Sequence, residues 1–205
     1  MPFSRRTMLI TPLIAAAHPR WATAADGESE PVAVIRRFYG DLLAVMKEAK
    51  RLSFDQRYQR LAPAVTRTFD LALSARLSVG PGWTQLRPDQ QQRLTEVFSR
   101  YTISVYASRF DDFAGERFEV DPTPASSPNG VLVQSRMVKS NGEKIVINYL
   151  LRQGSGGSQV IDAYFSGSIS ELASRRSEFT AVLQQSGAEG LIKLLEERTA
   201  AQRQG

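Results

Sequence analysis

The chain has no cysteine and a single histidine, His18, in 205 residues. These two scarcities exclude much of enzymology. Without cysteine there is no disulfide and no thiol nucleophile. A Ser-His-Asp triad needs an imidazole to move its proton, and zinc sites are built mainly from Cys and His. Also missing are the Gly-x-Ser-x-Gly elbow, the P-loop and the dinucleotide fingerprint. Apolar runs are short: none reaches the roughly 18 residues of a membrane-spanning helix. Asp111-Asp112 and Glu196-Glu197 are neighbours in sequence and so do not share a helix face, which suits solvated surface better than a catalytic pair. Chemistry would have to come from Asp, Glu, Lys, Tyr or Ser.

The N-terminus has the layout of a signal peptide. Ser4-Arg5-Arg6-Thr7 is a basic start, Met8 to Ala17 is a short apolar run, and Ala22-Thr23-Ala24 is a small-residue cleavage site. Residues 1–24 are therefore expected to be a leader, and residues 25–205 one domain. His18 falls in the leader, so the mature chain lacks histidine as well as cysteine. The paired arginines suit either a twin-arginine or an ordinary secretory signal. The charge changes with this reading. The whole chain carries +5, the leader holds three arginines and no acid, and +2 remains. A basic excess that leaves with the leader does not point to nucleic acid.

Past the leader the period is helical. Val32, Ile35, Tyr39, Leu42, Met46 and Ala49 share one face of a helix that Pro31 opens and that ends near Arg51. Ser53 and Gln56 form a capping box for a second helix expected to run to about Pro63. A short helix from Asp70 carries Leu71, Leu73 and Leu77. Gly80-Pro81-Gly82 breaks the chain, and Trp83 follows as a packed anchor or a lid residue. Pro88 opens the longest helix, expected to end near Phe113, with Leu94, Phe98, Tyr101 and Val105 in one stripe.

After Gly115 the period becomes two. Arg117 to Asp121, Val131 to Lys139, Lys144 to Arg152 and Ser158 to Phe165 read as strands, with Pro122 to Gly130 a loop. Asn141-Gly142 is a strong hairpin signal. Gly154 to Ser158 is glycine-rich but lacks a lysine, and it reads as a hairpin loop between strands. Ser168 to Glu171 and Ser186 to Glu189 then signal two closing helices. The expected fold is α+β: one four-stranded antiparallel sheet, with N- and C-terminal helices packed on one face.

This order of residues resembles the MlaC family, also called the toluene-tolerance auxiliary family. The likeness runs from about Pro31 to Glu197. It is carried by Phe69-Asp70-Leu71 with Arg76, Gly80 to Trp83, and Gln90-Gln91 with Phe98. Tyr106, Gly115-Glu116 with Val120, and Tyr149 with Leu151 continue it, followed by Val160-Ile161-Asp162 and Ser177-Glu178-Phe179. Within the family the sequence is most similar to the hopanoid-associated branch. That likeness rests on Phe38-Tyr39 through Met46, on Ser53-Phe54 to Pro63, and on Ser170 to Phe179. One departure is Arg87, which stands where the family generally has Ser or Thr before the proline that opens the long helix.

The resemblance implies a periplasmic lipid carrier without cofactor or catalysis. It implies a phospholipid, or in the narrower branch a hopanoid, held in an apolar cavity between sheet and helices. It also implies partners: an inner-membrane lipid transporter complex and an outer-membrane lipoprotein complex. Physical chemistry sets what such a carrier must do. Each acyl methylene costs about 0.8 kcal/mol to expose to water, so a chain of roughly sixteen carbons costs on the order of 12 kcal/mol. A dry concave pocket must offset that. The residues available for it are Val133 and Met137 on the second strand and Ile147 and Tyr149 on the third. Opposite them stand Leu73, Leu77, Leu94, Phe98, Tyr101 and Val105. The same residues would equally suit a filled core. Arg175-Arg176 and Lys47 to Arg51 could meet phosphate or an acidic partner, or be solvated faces. Two other functions stay open: an envelope scaffold with no cavity, and an isomerase-type enzyme using Asp162 as a base in an apolar pocket.

Overall fold

The computed structural model describes residues 28–204, so the expected leader, residues 1–24, lies outside the described residues. Helix α1 spans Glu30–Glu48 and passes into a 3-10 turn at Ala49–Arg51. The six residues of its expected face are all buried. At its start, the Glu30 carboxylate accepts from the backbone N–H of Ser158 at 2.8 Å, which ties the helix to a distant hairpin. Helix α2 spans Phe54–Thr68 and begins with the capping box, Gln56 N–H donating to Ser53 Oγ and Ser53 N–H to Gln56 Oε1. It does not stop at Pro63. Proline there removes one helical bond, but the carbonyl it frees belongs to exposed Gln59, which water can serve. The buried face of Leu61, Ala64, Val65 and Thr68 carries the helix on.

Helix α3 spans Leu71–Val79, capped by Asp70, whose carboxylate accepts from Leu73 N–H at 2.9 Å. A 3-10 turn at Gly80–Gln85 leads to α4, Pro88–Arg109. Arg87 offers no acceptor. Gln90 Oε1 instead accepts from the Arg87 backbone N–H at 3.1 Å, and Asp89 supplies the negative charge that favours a helix start. The helix ends four residues before Phe113, at Arg109.

The sheet has seven strands where four were expected. They are β1 Arg117–Val120, β2 Ala125–Ser127, β3 Gly130–Val133, β4 Ser135–Val138, β5 Lys144–Gly154, β6 Gly157–Phe165 and β7 Ile169–Ser170. All pairings are antiparallel, and the order is β1-β4-β5-β3-β2, with β6 on the other side of β5 and β7 beside β6. One additional strand arises from a break in the expected 131–139 strand, and the other two, β2 and β7, lie outside the expected strands. β3 and β4 keep one register against β5, Val133 opposite Tyr149 and Met137 opposite Ile145. Between them side chains replace the ladder: Ser135 N–H donates to Asn148 Oδ1 at 3.2 Å, and Ser135 Oγ donates to the Ile147 carbonyl. β1 and β2 are separated by Pro122 and Pro124, which have no N–H to give a ladder. Hence Pro122 to Gly130, expected as a loop, contains a short strand. Gly154 pairs with Gly157, making Ser155-Gly156 a two-residue turn.

Helix α5, Glu171–Ala201, is broken at Gly187, whose φ of 64° and ψ of −169° are not helical. The two expected closing helices are the two parts of α5. The first begins two residues later than the Ser168 signal, with Ser170 as its cap. The core lies between the helices and the sheet face that carries Val133, Ile147, Tyr149 and Leu151. The α2–α3 corner is joined to β6 by a bridge from Phe69 to Val160, Asp70 N–H donating to the Val160 carbonyl at 2.9 Å.

Gly130 sits at φ 151°, and a Cβ there would lie 2.1 Å from the Leu151 carbonyl oxygen. Gly142, in the Asn-Gly turn, has φ 86° with open space around it. Gly130→Ala should therefore lower unfolding free energy by about 2–5 kcal/mol, from strain plus overpacking. Gly142→Ala should cost about 1 kcal/mol from strain alone. Urea unfolding of the two variants checks the difference.

Candidate functional site

Between the sheet and the helices lies a markedly apolar cleft. It encloses about 80 Å³. Its floor is Ile147 and Tyr149 of β5 with Ala163 and Phe165 of β6. One wall is the face of α4 that repeats every three or four residues: Phe98, Thr102, Val105, Tyr106 and Arg109. Leu71, Ser74 and Ser78 of α3 form a second wall, and Leu172 and Arg175 of α5 a third.

The floor is rigid because rings interlock beneath it. Tyr149 lies edge-on to Phe38 at 6.3 Å, Tyr39 at 5.9 Å and Phe69 at 6.2 Å between centroids. Tyr39 stacks on Phe118 at 4.1 Å, and its hydroxyl donates to Ser135 Oγ at 2.7 Å. Burial pushes the Tyr39 phenol up to about 12. Burial also raises Tyr106, outweighing a hydrogen bond with Tyr149 that lowers it, and raises Tyr149, which Tyr106 and Tyr39 push further up; all three stay neutral at physiological pH.

Two arginines border the cleft. Arg175 lies 5.2 Å from the Phe98 ring and 5.6 Å from Tyr101, and reaches Glu171 at 3.4 Å. Arg109 lies 5.2 Å from the Phe165 ring. Both are near enough to Tyr106 to favour its phenolate slightly, against the larger effect of burial. Guanidinium on an aromatic face is held in place while its N–H groups stay free to bind.

Asp162 also borders the cleft, and its oxygens are taken. Oδ1 accepts from Ala163 N–H at 2.8 Å and Leu172 N–H at 3.0 Å, and Oδ2 accepts from Ser170 Oγ at 2.6 Å. The carboxylate thus caps the start of α5, where negative charge is favoured. No group of three or more metal-ligating side chains occurs among the described residues. No described helix is long and apolar enough to cross a membrane.

A family model described as MlaC protein matches residues 36–197. The chain belongs to the MlaC family. Its fold is similar to a solved structure, the phospholipid-binding protein from Ralstonia solanacearum in complex with a phospholipid. The TM-score is 0.73 at 22% identity, covering 84% of this chain and 98% of that one. No curated protein matches the chain.

Of the residues expected around the MlaC cavity, the cleft brings together Phe98, Val105, Ile147 and Tyr149. The other six stand elsewhere. Leu94 and Val133 are packed in the core. Leu73 borders a shallow polar depression with Asp70 and Arg152, because the inward face of α3 runs through Leu71, Ser74, Ala75 and Ser78. Leu77 lies on the same outer flank, its carbonyl accepting from Arg176 Nε at 2.9 Å. Tyr101 packs beside Arg175 outside the lining, and Met137 sits across from Ile145 toward the β4 end of the sheet. Trp83 packs against the core and does not line the cleft. An apolar-stripe search overlooks Thr102, Ser74 and Ser78 because they are polar. It overlooks Arg109 and Arg175 because their aromatic neighbours come from other elements.

The three buried tyrosines set an alkaline limit. In the unfolded chain each ionises near pH 10, whereas Tyr39 in the fold holds its proton to about 12. The folded state binds more protons in this window, so stability falls as pH rises from 10. Tyr39 alone accounts for on the order of 3 kcal/mol by pH 12. Tyrosinate absorbance during an alkaline titration should show these three ionising only with the loss of near-UV circular dichroism.

Proposed function

We propose that this MlaC-family chain is a periplasmic lipid carrier: residues 1–24 a leader, residues 25–205 one lipid-binding domain. The observation that carries the reading is the apolar cleft, walled by Phe98, Val105, Ile147 and Tyr149, set between sheet and helices in this fold. The Ralstonia solanacearum protein of similar fold holds a phospholipid, which makes a phospholipid the first cargo to test. A hopanoid is the alternative, on the likeness of Ser170 to Phe179 to that branch. The partners we infer are an inner-membrane transporter complex that loads or unloads the carrier and an outer-membrane lipoprotein complex.

At about 80 Å³ the cleft is smaller than an engineered cavity of about 150 Å³ that admits one benzene. An acyl chain enters only if a wall moves. The first part of α5 is the wall least held: before Gly187 it buries only Phe179, and after it Ala188, Leu191, Ile192 and Leu195. Gly187, at φ 64° with open space around it, gives a pivot at one end, and Ser166 and Gly167, at φ 52° and 81°, give one at the other. Closed, the wall is fastened by Arg175 on Phe98 and by the Asp162 cap.

The occupied oxygens of Asp162 argue against the isomerase reading, since a base needs a lone pair facing its substrate. The scaffold reading differs by requiring the cleft to stay shut. Native mass spectrometry of the purified protein, followed by solvent extraction, should find phospholipid. A hopanoid would put the chain in the narrower branch. A folded, empty protein that takes up no labelled lipid from vesicles would favour the scaffold.

Substitutions separate lining from core. Ile147→Asp puts a charge on the cleft floor and should abolish lipid retention in a folded protein. Leu94→Ala should cost about 2–5 kcal/mol of stability and leave the retained lipid unchanged. Lipid content and urea midpoints of both variants give the comparison.

A further inference from the structure

We propose that Thr102 is a specificity residue of the cleft, donating its hydroxyl to an ester carbonyl of a glycerolipid. The proposal rests on the lipid-carrier reading. Thr102 lines the cleft on α4, 5% exposed, and its Oγ1 has no hydrogen-bond partner. A helical threonine ordinarily returns its hydroxyl to the carbonyl one turn back. This chain shows that habit: Thr95 Oγ1 donates to the Gln91 carbonyl at 2.9 Å and Thr199 Oγ1 to the Leu195 carbonyl at 2.7 Å. Neighbouring serines do likewise, Ser99 to the Thr95 carbonyl and Ser104 to the Tyr101 carbonyl, each at 2.7 Å. Thr102 makes no such bond. Folding alone does not account for a buried hydroxyl left unpaired on the wall of an apolar cleft, because such a group opposes folding. A ligand oxygen at that depth does.

The surroundings say which oxygen. Phe98 stands one turn before Thr102, and Val105 and Tyr106 one turn after, so the partner arrives embedded in hydrocarbon. A neutral acceptor suits that depth better than a carboxylate, whose charge would favour the arginines bordering the cleft. Arg175 over Phe98, paired also with Glu171, and Arg109 over Phe165 border the same cleft, Arg109 being the cation most open to an anionic phosphate. A neutral carbonyl set between alkyl chains and a phosphate is the ester of a glycerophospholipid. A polycyclic hydrocarbon skeleton carries no acceptor at that position.

The test compares vesicles of phosphatidylglycerol with ester-linked chains against the ether-linked analogue of equal chain length. Uptake affinity is measured for the wild type, Thr102→Val and Thr102→Ser. The wild type should prefer the ester by about 5–10-fold, the worth of one neutral hydrogen bond. Thr102→Val should lose that preference by binding the ester less tightly, and Thr102→Ser should keep it. Lipid-free Thr102→Val should melt no lower than the wild type, since it removes an unpaired hydroxyl. Equal wild-type affinity for the two lipids, a preference that survives in Thr102→Val, or a lower melting point of that lipid-free variant would each overturn the proposal. A wild type that takes up neither lipid would sink the carrier reading along with it.

Discussion

Tyr149 holds the two layers of the molecule together. It projects from the longest strand into a cluster of rings from α1 and the α2–α3 corner, and its own ring floors the cleft. Aromatic side chains are large and rigid, so this cluster sets how far the helices stand from the sheet. Where the rings of Phe38, Tyr39 and Phe69 fill the gap, the layers close into a core. Where β5 and β6 run on toward Phe165, the rings of Phe69, Tyr106 and Phe165 border the space instead of filling it, and the cleft begins. Core and cleft are thus two ends of one interlayer space.

The elements around that space are held unequally. α4 is fixed by Leu94, Val97, Phe98 and Ile103, all buried. The second part of α5 is fixed by Leu191, Ile192 and Leu195. The first part is held by Phe179, by the half-buried Val182 and Leu183, by Glu178 pairing with Arg198 and Arg176 donating to the Leu77 carbonyl, and by polar fastenings at its start: the Asp162 cap, the Ser170 hydroxyl and the Arg175 cation over two rings. A wall held so is suited to move while the sheet and α4 stay in place.

Much of this was legible in the residue order. The Ser53–Gln56 box, the Asp70 cap, the Asn141-Gly142 turn and the breaks at Gly80 and Gly187 are local devices, and local chemistry decides them. The four expected strands are all present. The break in the second was not legible, because Ser135 is displaced from its ladder by Asn148, whose partnership exists only once β4 and β5 have paired. The continuation of α2 through Pro63 depended on which side of the helix faced water. For the cleft, apolar character alone chose Leu73 and Leu77 on α3. The turn-by-turn geometry placed Ser74 and Ser78 inward instead, and residues chosen for being apolar could not include them.

The bridge between Phe69 and Val160 has a consequence beyond positioning α3. The outer rim of β6 would otherwise present bare carbonyls to other chains. Asp70 N–H takes the Val160 carbonyl, Ser74 Oγ takes that of Ile161 at 3.0 Å, and β7 covers Tyr164 and Phe165. The opposite rim is short and interrupted by Pro122 and Pro124. Neither border offers a long run of unpaired backbone on which a second molecule could add a strand. The sheet is thereby closed to edge-to-edge polymerisation at both borders.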